Sequence, residues 1–142
     1  MTVKQLSVFI ENRKGRLGEV LKVLKENNVN ILSLSLADTT EYGLLRIIVN
    51  APEHGCEVLL KAGFSSMLTD VLIVKVPHVA GSLQSILERI TEKDISIEYT
   101  YGLSVGIDDA SIVMKTNQLA LACEVLKDAN IETMSSEEMS SL

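Results

Sequence analysis

Two segments carry residues whose types and spacing suit the capture of a small charged molecule. They are Ile10-Glu11-Asn12-Arg13-Lys14-Gly15-Arg16-Leu17-Gly18 and Val76-Pro77-His78-Val79-Ala80-Gly81-Ser82-Leu83. In each, an alternating apolar stretch passes through a glycine into residues at helical spacing. A helix start presents free N–H groups with the helix dipole behind them, a ready site for a carboxylate or phosphate. Gly15 and Gly81 let the backbone approach such a group closely. Around them, Lys14, Arg16, Leu17 and Gly18 in the first segment, and Ser82 and Leu83 in the second, are candidate ligand-binding residues. Asn12 and Asn30 offer amides that both donate and accept, which suits a group carrying an ammonium and a carboxylate. The same residues admit a plainer reading, in which the glycines shape a turn and Asn12 caps the helix.

Other chemistries find little material. Two histidines give no Ser-His-Asp constellation with any spacing logic, and Asp108-Asp109 falls in a predicted turn, where Asp is common for local backbone reasons. Neither a Walker nor a Rossmann fingerprint is present. Cys56 and Cys123 sit on apolar helix stripes without ligand spacing, so they read as core residues rather than metal ligands. No catalytic residue, metal or cofactor is expected. The formal charge of −6 opposes a general nucleic-acid binder. Only 4% of residues are aromatic and Trp is absent, which leaves few platforms for stacking bases. Mean hydropathy is positive at +0.25, yet no apolar run approaches the roughly 18 residues of a membrane span. Met1 leads directly into an alternating segment, so we expect no signal peptide and a cytoplasmic location.

Behind these segments lies a repeat. Gly15-Arg16-Leu17 recurs as Gly81-Ser82-Leu83, Val29-Asn30-Ile31 as Ile95-Ser96-Ile97, and Cys56-Glu57-Val58-Leu59 as Cys123-Glu124-Val125-Leu126. The second copy gains one residue on the way, placed in the turn around Gly106 to Asp109. The alignment sets His78 opposite Asn12 and Ser96 opposite Asn30, which adds both to the candidates. Each half reads as the same order of elements. Leu6, Val8 and Ile10 alternate as a strand would; Leu17, Val20, Leu21 and Leu24 form one helical stripe, closed by Asn27-Asn28. A hairpin follows, over Ile31 to Leu36 and Leu44 to Val49 with a turn around Thr39 to Gly43. Pro52 opens a second helix, Gly63 ends it, and a short strand runs from Phe64 to Leu68. The second half predicts strand 70–76, helix 81–93, strands 95–104 and 110–116, helix 118–129 and strand 130–135. Glu137-Glu138 and the flanking serines read as a frayed polar tail. The fold class is α+β: two ferredoxin-like βαββαβ units, over 1–69 and 70–142, with helices on one face of each antiparallel sheet. Each unit is about 70 residues, near the lower limit for a lone core. The strands are apolar on both faces, so the open face is expected to meet the other repeat or another subunit.

With Asn12-Arg13-Lys14-Gly15-Arg16-Leu17, then Asn30-Ile31, and the whole element order given twice, the chain resembles paired ACT domains, small regulatory modules that bind amino acids. The family's loop is usually Asn-x-Pro-Gly-x-Leu; here Lys14 and Ala80 stand at the proline positions, and His78 and Ser96 replace the two asparagines in the second copy. The first repeat is also similar to the small regulatory subunit of acetolactate synthase. The resemblance implies a free amino acid bound at the strand-to-helix loops at domain junctions. The ligand carboxylate would meet the N–H groups of Gly15 to Gly18, with Asn12 and Asn30 on its amino group and main-chain contacts from Ile31. It also implies a homodimer, and as an alternative a regulatory subunit gripping an amino-acid biosynthetic enzyme. A third reading, with Gly15-Arg16-Leu17-Gly18 as the GXXG loop of a KH-type RNA binder, is disfavoured because that loop joins two helices.

Overall fold

A computed structural model describes residues 1–11, 13–38, 41–104 and 110–142. Asn12, the turn at Thr39 and Thr40, and the turn carrying Gly106, Asp108 and Asp109 lie outside the described residues. The order is β1 (Val3–Glu11), α1 (Arg16–Glu26), β2 (Ile31–Asp38), β3 (Tyr42–Val49), α2 (Pro52–Lys61), β4 (Ser65–Val76), α3 (Ser82–Thr91), β5 (Ile97–Ser104), β6 (Ala110–Thr116), α4 (Leu119–Asp128) and α5 (Ser136–Ser140). The chain divides into two compact units, Lys4–Thr69 with Met139–Leu142 and Asp70–Glu138 with Met1–Val3.

In the N-terminal unit β3 lies between β1 and β2, antiparallel to both, with Val8 opposite Leu45 and Leu36 opposite Leu45. Leu6, Val8 and Ile10 point to the face that α1 and α2 cover, where they join Val20, Leu24, Leu45, Ile47 and Leu59 in one buried cluster. Period two on the strand and the 3.6-residue period on the helix thus converge on a single core. Gly55 is required there by packing, since a Cβ would stand 2.9 Å from a methyl of Leu6. In the C-terminal unit β6 lies between the second part of β4 and β5, with Leu72 opposite Met114 and Thr100 opposite Met114. Its cluster is Leu72, Val74, Ile86, Ile90, Ile95, Met114, Ala122 and Leu126. Helix ends repeat as well: Asn28 and Asp94 take positive φ (57° each) after the first helices, and Gly63 and Asn130 (91° and 58°) after the second.

Three expectations needed revision. Phe64 to Leu68 and 70–76 are not separate strands but β4, a single strand of 12 residues; Thr69-Asp70 contains no residue that would break period two. The expected strand 130–135 reduces to one bridge, Val74 to Thr133. The tail is not frayed: Ser135 Oγ accepts the Glu138 N–H at 3.1 Å, capping α5, whose Met139 is 1% exposed. Ser135-x-x-Glu138 is a capping-box signature legible in the sequence. Cys56 is a buried core residue as expected, and Cys123 is half-buried. No metal-binding cluster occurs among the described residues, and no described helix is long and apolar enough to cross a membrane. The apolar side chains of Phe9, Leu34 and Leu36 remain 49%, 43% and 46% exposed.

Lys75 Nζ ties α5 down, 3.0 Å from Glu138 and 3.5 Å from Glu132. The hydrogen bond from Lys75 holds the Glu138 carboxyl below its ordinary value, and the same bond raises Lys75. A lowered folded carboxyl contributes fully above the unfolded value and is lost as pH falls through the folded one; a raised lysine contributes fully below its unfolded value and is lost in alkali. Amide-exchange protection of Ser136–Ser140 is therefore expected to stay level through neutral pH and to drop below about pH 4.5. Glu138→Gln should produce that drop at neutral pH; unchanged protection in both cases would assign the anchoring of α5 to Met139 alone.

Candidate functional site

The two strand-to-helix loops have the same main-chain construction. Gly15 and Gly81 are the N-caps of α1 and α3, both left-handed, at φ 84° and 87°. Before them, Arg13 N–H donates to Glu11 O (2.8 Å) and Arg16 N–H to Arg13 O (3.3 Å). In the second loop Val79 N–H donates to Pro77 O (2.8 Å) and Ser82 N–H to Val79 O (3.1 Å). A Cβ at Gly15 or Gly81 would meet nothing within 4 Å, so backbone conformation rather than crowding demands glycine. Neither cap has a side-chain hydrogen bond. The N–H groups of Leu17 and Gly18, and those of Leu83 and Gln84, have no hydrogen-bond partner among the described residues. Each helix start therefore offers outward N–H donors under a positive dipole end, an arrangement that accepts one carboxylate.

Side chains distinguish the loops. Lys14 and Gly18 are exposed, and Leu17 packs partly on the N-terminal core. The Arg16 guanidinium is turned onto the Phe64 ring, 4.1 Å from its centroid, and reaches Glu19 at 2.6 Å. It is 19% exposed, and its Nε is buried without a partner. Arg16 therefore brings its cation to Phe64 and Glu19, and offers the loop only main chain. Arg16 holds the Glu19 carboxyl below its ordinary value, chiefly by that hydrogen bond. In the second loop His78 is exposed over a hollow walled by Val76, Pro77, Val79 and Leu87, Ser82 is half-buried, and Leu83 is exposed.

Asn30 and Ile31 lie elsewhere. α1 has 11 residues, which at 1.5 Å rise per residue separates its ends by about 16 Å. Gly15 stands at one end and Asn30 beyond the other, so one unit does not bring them around one small ligand. Asn30 is held by a residue that spacing alone did not single out. Its N–H donates to Asn50 Oδ1 (3.0 Å) and its carbonyl accepts from Asn50 N–H (3.1 Å). Ser96 and Asn117 repeat this pair at 3.0 and 3.2 Å. The signal was present in the repeat, where Asn50 and Asn117 each stand two residues before a helix start.

Comparisons with known proteins agree with this architecture. The family model described as ACT domain pair matches residues 1–142. A solved protein of Bacteroides thetaiotaomicron is 32% identical, with a TM-score of 0.93 over 100% of this chain and 98% of that one. The ligand-free regulatory subunit of aspartate kinase from Thermus thermophilus matches at 13% identity, TM-score 0.64, over 89% and 91% of the two chains. Its counterpart from Thermus flavus matches at 13%, TM-score 0.61, over 89% and 91%. These last two likenesses are of fold alone. The sequence matches no curated protein.

The glycine requirement is testable by contrast. Gly15→Ala places a Cβ in the left-handed region and is expected to lower stability by about 1–2 kcal/mol. Gly18→Ala, in open space at the start of α1, is expected to raise it by about 0.5 kcal/mol. Urea unfolding midpoints check both signs; equal shifts would mean that φ at Gly15 is not the constraint.

Proposed function

The chain belongs to the ACT domain family, a regulatory family, as a pair of such domains, and from that premise we propose that it binds a free amino acid at its strand-to-helix loops. The two ACT-like modules are 1–69 and 70–142. The observation that carries the reading is the pair of open helix starts, with N–H donors at Leu17, Gly18, Leu83 and Gln84 behind left-handed glycines. The ligand carboxylate takes those donors. Asn12, which the family resemblance places in the motif of the first loop, is the residue we assign to the ligand's amino group. Because Asn30 and Ile31 stand at the far end of α1, their contacts to a ligand come from a neighbouring module, which we assign to a second copy of the chain. The resulting homodimer is a cytoplasmic sensor: a ligand that prefers one mode of association shifts that equilibrium by its differential affinity, with no catalytic step or cofactor.

A second reading is supported by the exposed Leu34 and Leu36 on β2. In it the chain is the regulatory subunit of an amino-acid biosynthetic enzyme such as acetolactate synthase, and the apolar residues are its grip. Co-purification of a stoichiometric enzyme that Leu34→Lys with Leu36→Lys abolishes would favour it.

Calorimetric titration against the twenty amino acids tests the first reading. Saturable binding of at least one is expected, and its carboxamide should bind about tenfold more weakly or worse, since N–H bonds to a charged acceptor are lost. A folded protein that binds none of them, or binds acid and amide alike, would overturn it.

A further inference from the structure

The units share main-chain turns but differ in what fills the space between the first helix and the residues after the second. In the N-terminal unit Phe64 (5% exposed) and the Arg16 guanidinium, held by Glu19, occupy it. Main-chain bonds identify the counterparts. Phe64 N–H donates to Leu59 O (3.0 Å) as Ile131 N–H does to Leu126 O (2.9 Å), and Arg16 matches Ser82 in the glycine turn. Two shorter side chains thus stand where Arg and Phe close the other unit. The result is an open cleft of about 540 Å³ on the C-terminal unit, within the size range of small-molecule sites.

Its walls carry both signs of charge. Ser82, Ser85 and Arg89 line it from α3, Ile131 and Glu132 from the segment after α4, and Lys75 from the end of β4. Lys75 is already neutralised by Glu132 and Glu138. Arg89 is exposed and has no carboxylate partner among the described residues, so it is the cation open to an incoming carboxylate. Glu132 meets Lys75 through Oε2 alone, at 3.5 Å, and its side chain is 77% exposed, which leaves Oε1 for an ammonium; the Ser82 and Ser85 hydroxyls donate or accept. Ile86 and Ile131 supply an apolar floor for a short body. We propose that this cleft is a second ligand site, specific to the C-terminal unit, for a small amino-carboxylate zwitterion with a short aliphatic body, and that Arg16 and Phe64 close its counterpart in the N-terminal unit. The site adjoins the second loop through Pro77 and Ser82 but uses side chains in place of the loop N–H donors, so it holds whether or not those bind.

Amide NMR spectra of the full chain, titrated to millimolar glycine, L-alanine, L-serine, L-threonine and L-valine, test it. Saturable shifts are expected at Ser85, Arg89 and Glu132 with at least one probe. Ser82→Arg with Ile131→Phe, which rebuilds the filling of the other unit, should abolish them. Arg89→Gln should weaken the affinity by about tenfold through loss of a charge-assisted pair. No saturable shift with any probe, or full affinity in the rebuilt variant, would overturn the proposal. If the rebuilt variant does not fold, Arg89→Gln decides, because it alters an exposed residue; unchanged affinity overturns. Shifts confined to Gly15–Gly18 and Gly81 would overturn this proposal while supporting the loop reading, and shifts at the cleft alone would do the reverse.

Discussion

A strand that must become a helix within four or five residues has to reverse its backbone, and in both units a left-handed glycine makes the reversal. At Gly15 and Gly81 the chain turns through φ values that a side chain resists, and the helix that follows starts with its N–H donors uncovered. The rest of the unit hangs from that turn. It aims α1 and α3 back along the sheet, brings Val20 and Leu24, or Ile86 and Ile90, onto the strand residues, and places the positive helix end at the surface. A side-chain cap would satisfy these donors internally; neither helix has one, so the turn serves packing and keeps its donors available together.

Shared main-chain turns have been furnished differently. Arg16 spends its cation on Phe64 and Glu19 and seals one unit, while Ser82 and Ile131 leave the other open. The difference is one of side-chain volume and charge on a shared frame, so the two units offer different space without a change of fold. Lys75 and Glu138 add a further asymmetry, since they anchor a helix that the first half does not possess.

Local pattern carried much of this. The stripe Leu17, Val20, Leu21, Leu24 and the alternation Leu6, Val8, Ile10 predicted elements now seen, because burial on one face imposes its period on the residues. Glycine after a strand predicted the turn because few other residues tolerate it. The misses have physical causes too. The last strand is predicted by repetition of the first half, but repetition does not require a continuous ladder, and one bridge suffices to bury Met134. The tail was judged by polarity, although a Ser cap and one buried Met outweigh that polarity in a short helix. Asn50 and Asn117 leave no trace in the hydrophobic period, because an amide that pins a distant backbone need not alternate; only their matched places in the repeat mark them.

The amino-acid sequence by itself determined the repeated βαββα order, the glycine turns and the composition of both cores, since each follows from periodicity, φ preference or repetition along the chain. Tertiary structure alone decided that Gly15 and Asn30 stand at opposite ends of α1, that Asn50 and Asn117 hold Asn30 and Ser96, and that Arg16 closes over Phe64 while the matching space beside Ser82 stays open. Those outcomes depend on distances between residues far apart in sequence, where helix length and side-chain volume, rather than local pattern, set what can meet.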